Sequence, residues 1–195
     1  MSVEIAFFAH GTTEDNERGI ASGWADSELS DVGNEQAIDL RKLVWCERFD
    51  IVFCSDLSRA TDSAKLIFGG RIEIVQDRRL RECDYGDLTR EKAARINRQM
   101  LKHIDKPFPN GESYKDVEKR VRDFLNDLLK RWSGKRVAIV AHRAPQLALE
   151  VLTNGKSWRQ VIEDDWRRRE KWQPFWTYKC ESLRERSGFE RIRVR

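Results

Sequence analysis

The stretch Val3-Glu4-Ile5-Ala6-Phe7-Phe8-Ala9-His10-Gly11 decides how the rest of this 195-residue chain is read. It is a short, nearly continuous apolar run that ends abruptly on an imidazole and a glycine. An acid interrupts it and no basic segment precedes it, so it reads as a strand covered on both faces, not as a signal peptide. Asp50–Ser55 (DIVFCS), Arg71–Asp77 (RIEIVQD) and Arg136–His142 (RVAIVAH) have the same character. Between them lie segments of helical period. One runs from about Ser30 to Trp45, with Ala37, Leu40, Leu43 and Val44 on one face, and another begins near Leu57. The clearest starts at Ser113, where Ser113 and Asp116 form an S-x-x-D capping box. Val117, Val121, Phe124, Leu125, Leu128 and Trp132 follow at a period near 3.6, and Gly134 marks the end. Alternation of this kind predicts an α/β fold, with a mainly parallel central sheet and helices on both faces in three layers.

The length suits a single domain over residues 1–195. A hydrophobic fraction of 39% with 36% charged residues describes a folded chain with a strongly hydrated surface. No apolar run approaches the roughly 18 residues that span a bilayer, so no membrane partner is expected. Cys46, Cys54, Cys83 and Cys180 are scattered without a C-x-x-C pair, and only three histidines are present. Reduced thiols, a cytoplasmic location and no bound metal are the corresponding expectations. The net charge of +4 is concentrated in residues 156–195, where Lys and Arg outnumber Asp and Glu by twelve to seven. That Trp- and Arg-rich extension, with Trp158, Ile162 and Trp166 on one helical stripe, is expected to pack on the body. Its alternative use is as a basic aromatic lid over a substrate. Nucleic acid is an unlikely partner because no module for it is visible.

In an open α/β sheet ligands bind at the carboxyl ends of the strands. His10 and His142 each close a strand, which makes a shared site the leading reading. Gly11 lets backbone N–H groups approach an anion. Arg59, in the first turn of the helix that follows the second strand, offers a planar fork to phosphate oxygens at a favourable helix end. Glu82, in RLRECDYGD, offers a proton. Imidazole nucleophile, guanidinium clamp, second imidazole and carboxylic acid together suit phosphoryl transfer through a phosphohistidine, with no cofactor.

Read in order, AHGTTEDN (9–16), GWADSELSDVGNEQA (23–37), SDLSRATDSA (55–64), RECDYGD (81–87), FPNGES (108–113) and VAH (140–142) resemble the motifs of the histidine phosphatase superfamily, which includes cofactor-dependent phosphoglycerate mutases. The resemblance runs from about residue 4 to 153, and jointly the motifs are highly specific. It implies a phosphoglycerate mutase-like fold, His10 as nucleophile, and Glu82 as general acid and then general base. It implies that Arg59 and His142 hold the phosphoryl group with help from Asn16. Ser22, Gly23 and Tyr85 fall at positions that line the substrate side.

Two positions depart from the pattern. The motif before the first histidine begins with arginine, and Ala9 stands there; the glycine that usually follows the second histidine is Arg143. A cation lost at one strand end and gained at its neighbour suggests that Arg143 takes over phosphate binding. The segment between Glu82 and the Pro109-x-Gly111-Glu112-Ser113 loop is short, whereas mutases of the family carry a longer insertion that shields the intermediate. The expected activity is therefore a metal-independent phosphatase acting on a small phosphorylated metabolite. A weakened or inactive phospholigand-binding protein of the same fold is the alternative, and a nucleic-acid-binding module using the tail is a third. Oligomeric state and physiological substrate are not written in these motifs.

Overall fold

The computed structural model describes residues 2–165, 167 and 175–181. Five strands form one sheet in the order β3-β2-β4-β1-β5. They are β1 (Ser2–Ala9), β2 (Ile51–Cys54), β3 (Ile74–Gln76), β4 (Arg136–Ala141) and β5 (Trp176–Glu181). The first four pair in parallel, and β5 runs antiparallel along the free edge of β1.

Side chains alternate across the sheet, so the central strands β1, β2 and β4 each serve two cores. Val3, Ile5 and Phe7 of β1 join Val137 and Ile139 of β4 in one apolar cluster. Against that face pack α5 (Tyr114–Arg131), α6 (Arg143–Asn154) and α7 (Trp158–Glu163). Ala6 and Phe8, with Val52, Cys54, Ala138 and Val140, face α2 (Asp31–Leu43) and α3 (Ser58–Phe68) on the other side. The three-layer α/β architecture expected from the alternation is the one observed. Shorter helices α1 (Glu14–Glu17) and α4 (Ala93–Gln99) lie at the carboxyl end of the strands. No described helix is long and apolar enough to cross a membrane.

Local chemistry sets the ends of these elements. Ser30 caps α2 by accepting from the Gly33 N–H. Ser113 and Asp116 form the reciprocal capping box at the start of α5, as their spacing predicts. The 71–77 run yields only a three-residue edge strand, paired with Val52–Cys54 of β2; at its start Arg71 donates to the Trp45 carbonyl at 2.7 Å and lies over that residue's ring. Part of what reads as an appended tail belongs to the sheet itself. In β5, Tyr178 and Cys180 point inward at a period of two, and the Tyr178 hydroxyl accepts from Gln146 at 2.8 Å and donates to Glu150 at 3.0 Å. Trp158 and Ile162 are buried as the helical stripe requires, while Trp166 and Trp172 lie outside the described residues.

Candidate active site

The register of two parallel strands brings the histidines together. Ala9 stands opposite Ala141, and the His10 N–H donates to the Ala141 carbonyl at 3.0 Å. The next residue on each strand is therefore a histidine, and the two rings lie 5.0 Å apart between centroids. His10 Nδ1 is 2.7 Å from the Gly11 carbonyl. A carbonyl only accepts, so Nδ1 carries the proton and Nε2 holds the lone pair in the neutral ring. Burial, then the charge of Arg59, lowers the His10 pKa to about 3. The same causes, with His10 itself, push His142 well below the ordinary imidazole value. Both rings are neutral near pH 7. His142 is fully buried, and neither of its ring nitrogens has a hydrogen-bond partner among the described residues. An unpartnered buried donor costs about 1–3 kcal/mol, which a ligand oxygen would recover.

Arg59 is buried in the first turn of α3, a helix with no cap of its own. Asp26 supplies one from a distant loop, accepting from the Ser58 N–H at 3.0 Å and its hydroxyl at 2.9 Å. The same loop grips Arg59 through the carbonyls of Gly23 at 2.7 Å and Ala25 at 2.9 Å. Gly23 sits at φ +53, a left-handed conformation that favours glycine and aims its carbonyl at the guanidinium. Enclosure lowers the Arg59 pKa, and the nearby Glu82 charge opposes this.

Glu82 is 9% exposed. Its Oε1 accepts the N–H groups of Cys83 at 2.8 Å and Ala144 at 3.1 Å. With both lone pairs of Oε1 engaged, a proton on this carboxyl resides on Oε2. Its backbone carbonyl is gripped by Trp24 Nε1 at 2.7 Å and by Arg120 at 2.8 Å. Arg120 in turn lies across both oxygens of Glu112, at 2.9 and 3.0 Å. Glu112 belongs to a loop visible in the sequence, but nothing there marks Arg120, one of many charges on an amphipathic helix.

His10, Asn16, Ser22, Gly23, Arg59, Glu82, Tyr85 and Arg143 all line a cavity of about 340 Å³; His142, fully buried beside His10, is not part of its wall. Asn16 closes the cap of α1, its side-chain oxygen accepting from the Thr13 N–H at 3.2 Å, which leaves its NH₂ as the donor end. The Ser22 hydroxyl donates to Asp15 at 2.9 Å. Tyr85 is buried edge-on to Phe108. Gly11 requires a correction. Its N–H donates to the Ser63 hydroxyl at 3.0 Å rather than facing the cavity, and a Cβ there would lie 2.4 Å from the Gly33 carbonyl oxygen. Close packing of α2, not anion contact, accounts for glycine at this position. The sequence reading also missed several residues. Gln36, Asn97 and Arg167 complete the cavity wall, along with the apolar Ile20, Ala93 and Ile96. Gln36 and Asn97 lie on polar helix stretches, and Arg167 is one of a run of arginines, so no local signal separates them.

Arg143 lines the cavity with its guanidinium engaged by Asp165 and, at 2.5 Å, by Asn97. Among the described residues no group of three His, Cys, Asp or Glu is arranged to hold a metal. A wider groove of about 780 Å³ has five acids on its wall, Glu14, Asp15, Asp26, Glu28 and Asp62, against three cations, Arg18, Lys65 and Arg90, which leaves it net negative.

Fold and site thus define an α/β protein with two neutral imidazoles and a buried guanidinium at the carboxyl ends of adjacent parallel strands. The model of the histidine phosphatase superfamily (branch 1) matches residues 5–163, and the chain belongs to that family. Its relatives include both mutases and phosphatases. It is 32% identical over 180 residues to the 2,3-bisphosphoglycerate-dependent phosphoglycerate mutase of Rhizobium meliloti (strain 1021), covering 84% of this chain and 85% of that protein. Among solved structures it is similar to the alpha-ribazole phosphatase of Shigella flexneri (26% identity, TM-score 0.72, 83% of this chain and 84% of that one). It is also similar to a mycobacterial glucosyl-3-phosphoglycerate phosphatase in complex with VO3 (25% identity, TM-score 0.71, 82% and 86%).

Proposed function

We propose that the protein is a metal-independent phosphatase that hydrolyses a small phosphorylated metabolite through phospho-His10. The observation that carries this reading is the His10–His142 pair. The neutral His10 ring lies 5.0 Å from an imidazole that is buried without a hydrogen-bond partner among the described residues, and the charge of Arg59 acts on both. His10 Nε2 attacks phosphorus, and the bond to the leaving oxygen breaks with its electron pair departing on that oxygen. The proton on Glu82 Oε2 transfers to it. Glu82, now a carboxylate, takes a proton from water as that water attacks phosphorus, and the P–N pair returns to Nε2. Arg59 and His142 donate to the phosphoryl oxygens throughout.

Hydrolysis is preferred to transfer because residues 83–108, between Glu82 and the Pro109 loop, form a short segment built of two single-turn helices and α4. The relatives named as mutases favour the second reading, rearrangement of a phosphoglycerate. One experiment separates them. Given an aryl phosphate in the presence of EDTA, the protein is expected to release phosphate, and His10→Ala to abolish the release. Given 3-phosphoglycerate with 2,3-bisphosphoglycerate, it is expected to form no rearranged isomer faster than it releases phosphate. Turnover that is equal in His10→Ala overturns the phosphohistidine route. Rapid isomer formation makes the protein a mutase.

A further inference from the structure

A phosphate monoester carries between one and two negative charges near pH 7. The cavity meets it with the neutral ring of His10, the neutral His142 ring 5.0 Å from that one, and one deeply buried cation, Arg59. β1 contributes only the methyl group of Ala9 to the wall. Arg143 lines the cavity too, its guanidinium paired with the carboxylate of Asp165. Arg167 is the third arginine among the described residues that line the cavity.

Its position has a structural cause. Asp165 follows α7 directly, is 2% exposed, and pairs through Oδ2 with the Arg143 guanidinium at the head of α6. Its Oδ1 accepts the backbone N–H of Arg167 at 3.1 Å. A buried carboxylate between a largely enclosed guanidinium and a backbone amide holds the chain at one point, because breaking the ion pair strands a charge away from water. That anchor delivers Arg167 to the cavity, where its charge reaches both His10 and His142.

We infer that Arg167 is a further substrate-contacting residue, a guanidinium brought to the phosphoryl position from the C-terminal segment, with Arg143 and Asp165 as the residues that position it. The inference rests on the phosphoryl-transfer reading of the cavity. It adds that the anion is gripped from two sides, by the sheet-borne Arg59 and by an arginine beyond α7. It also gives Arg143 an indirect part, holding Asp165 rather than the substrate.

The test uses the full chain and two probes, inorganic phosphate binding by calorimetry and aryl phosphate turnover. Arg167→Ala is expected to weaken phosphate binding and to lower kcat/KM, each by about ten- to a hundredfold, within the range for loss of one preorganised cation. Arg167→Lys should recover most of both. Asp165→Asn should weaken both in the native background and change neither further once Arg167 is alanine. That dependence separates positioning from a general structural effect. Ala9→Arg, which places a cation in the same cavity from β1, should restore at least tenfold of the loss in Arg167→Ala. Phosphate binding within twofold of the unchanged protein in Arg167→Ala overturns the inference. Phosphate binding that depends on Arg167 without any aryl phosphate turnover upholds it and overturns the phosphatase reading. Turnover that depends on His10 but ignores Arg167 does the reverse.

Discussion

His10 is held by one hydrogen bond that determines its chemistry. Because the Gly11 carbonyl accepts a hydrogen bond from Nδ1–H, the neutral ring keeps its lone pair on Nε2. Enclosure and Arg59 keep it neutral down to about pH 3. The acid limb of kcat/KM therefore should not follow an ordinary histidine. Across aryl phosphates of different acidity, any limb above pH 5 is expected to move with the second ionisation of the substrate. A limb fixed near pH 6.5 for every substrate would show that His10 itself titrates there. Arg143 offers a second residue-scale test. Removing its side chain leaves Asp165 buried without its cation, and we expect Arg143→Ala to lower kcat/KM by at least about tenfold, roughly 1.4 kcal/mol. An unchanged kcat/KM would leave the pairing without consequence for the site.

At the scale of elements, the site depends on how closely α2 and α3 approach the end of β1. A Cβ on Gly33 would lie 1.9 Å from the Thr12 carbonyl oxygen, and the contact is with backbone that cannot rotate aside. Gly33→Ala should destabilise the fold by about 3 kcal/mol, at the upper end for overpacking, and lower activity by displacing the His10–Thr13 turn. Urea denaturation reads the first effect, and a variant as stable as the unchanged protein would refute the packing account of these glycines. The α5 cap provides a milder comparison. Ser113→Ala removes a reciprocal cap and should lower stability by about 1 kcal/mol. This cap was legible in the sequence because both partners lie three residues apart. The cap of α3 was not, since Asp26 reaches Ser58 across 32 positions of chain. β5 was missed for another reason: its short alternating run follows a stretch of arginines and tryptophans whose composition dominates the reading.

For the molecule as a whole, the paired histidines link stability to pH. The unfolded chain protonates each imidazole near pH 6.5, whereas the folded chain holds His10 neutral to about pH 3 and His142 neutral well below its ordinary range. Between those limits the unfolded state binds more protons, so stability is complete above about pH 6.5 and falls as the pH is lowered. Each histidine contributes at most about 2 kcal/mol between pH 6.5 and 5, before the paired carboxylates begin to titrate. Denaturation curves at pH 7.5 and 5 should show this loss. His142→Ala should reduce the difference between the two curves, and an equal difference in that variant would remove the link.

By itself the sequence determined what is local or periodic. The strand that ends on His10, its counterpart that ends on His142, the alternating helices and the Ser113 cap all follow from neighbours within a few residues. From these came the α/β class, and the ordered motifs identified the family. Tertiary structure alone decided which groups meet and what charge they carry. Strand register sets the two rings side by side, burial keeps them uncharged, and Asp165, just after α7, meets Arg143 while Arg167 joins the cavity wall. Arginine is one letter wherever it occurs in a chain. Whether it grips a ligand, a carboxylate or only water depends on contacts between residues far apart in sequence, which composition and period do not encode.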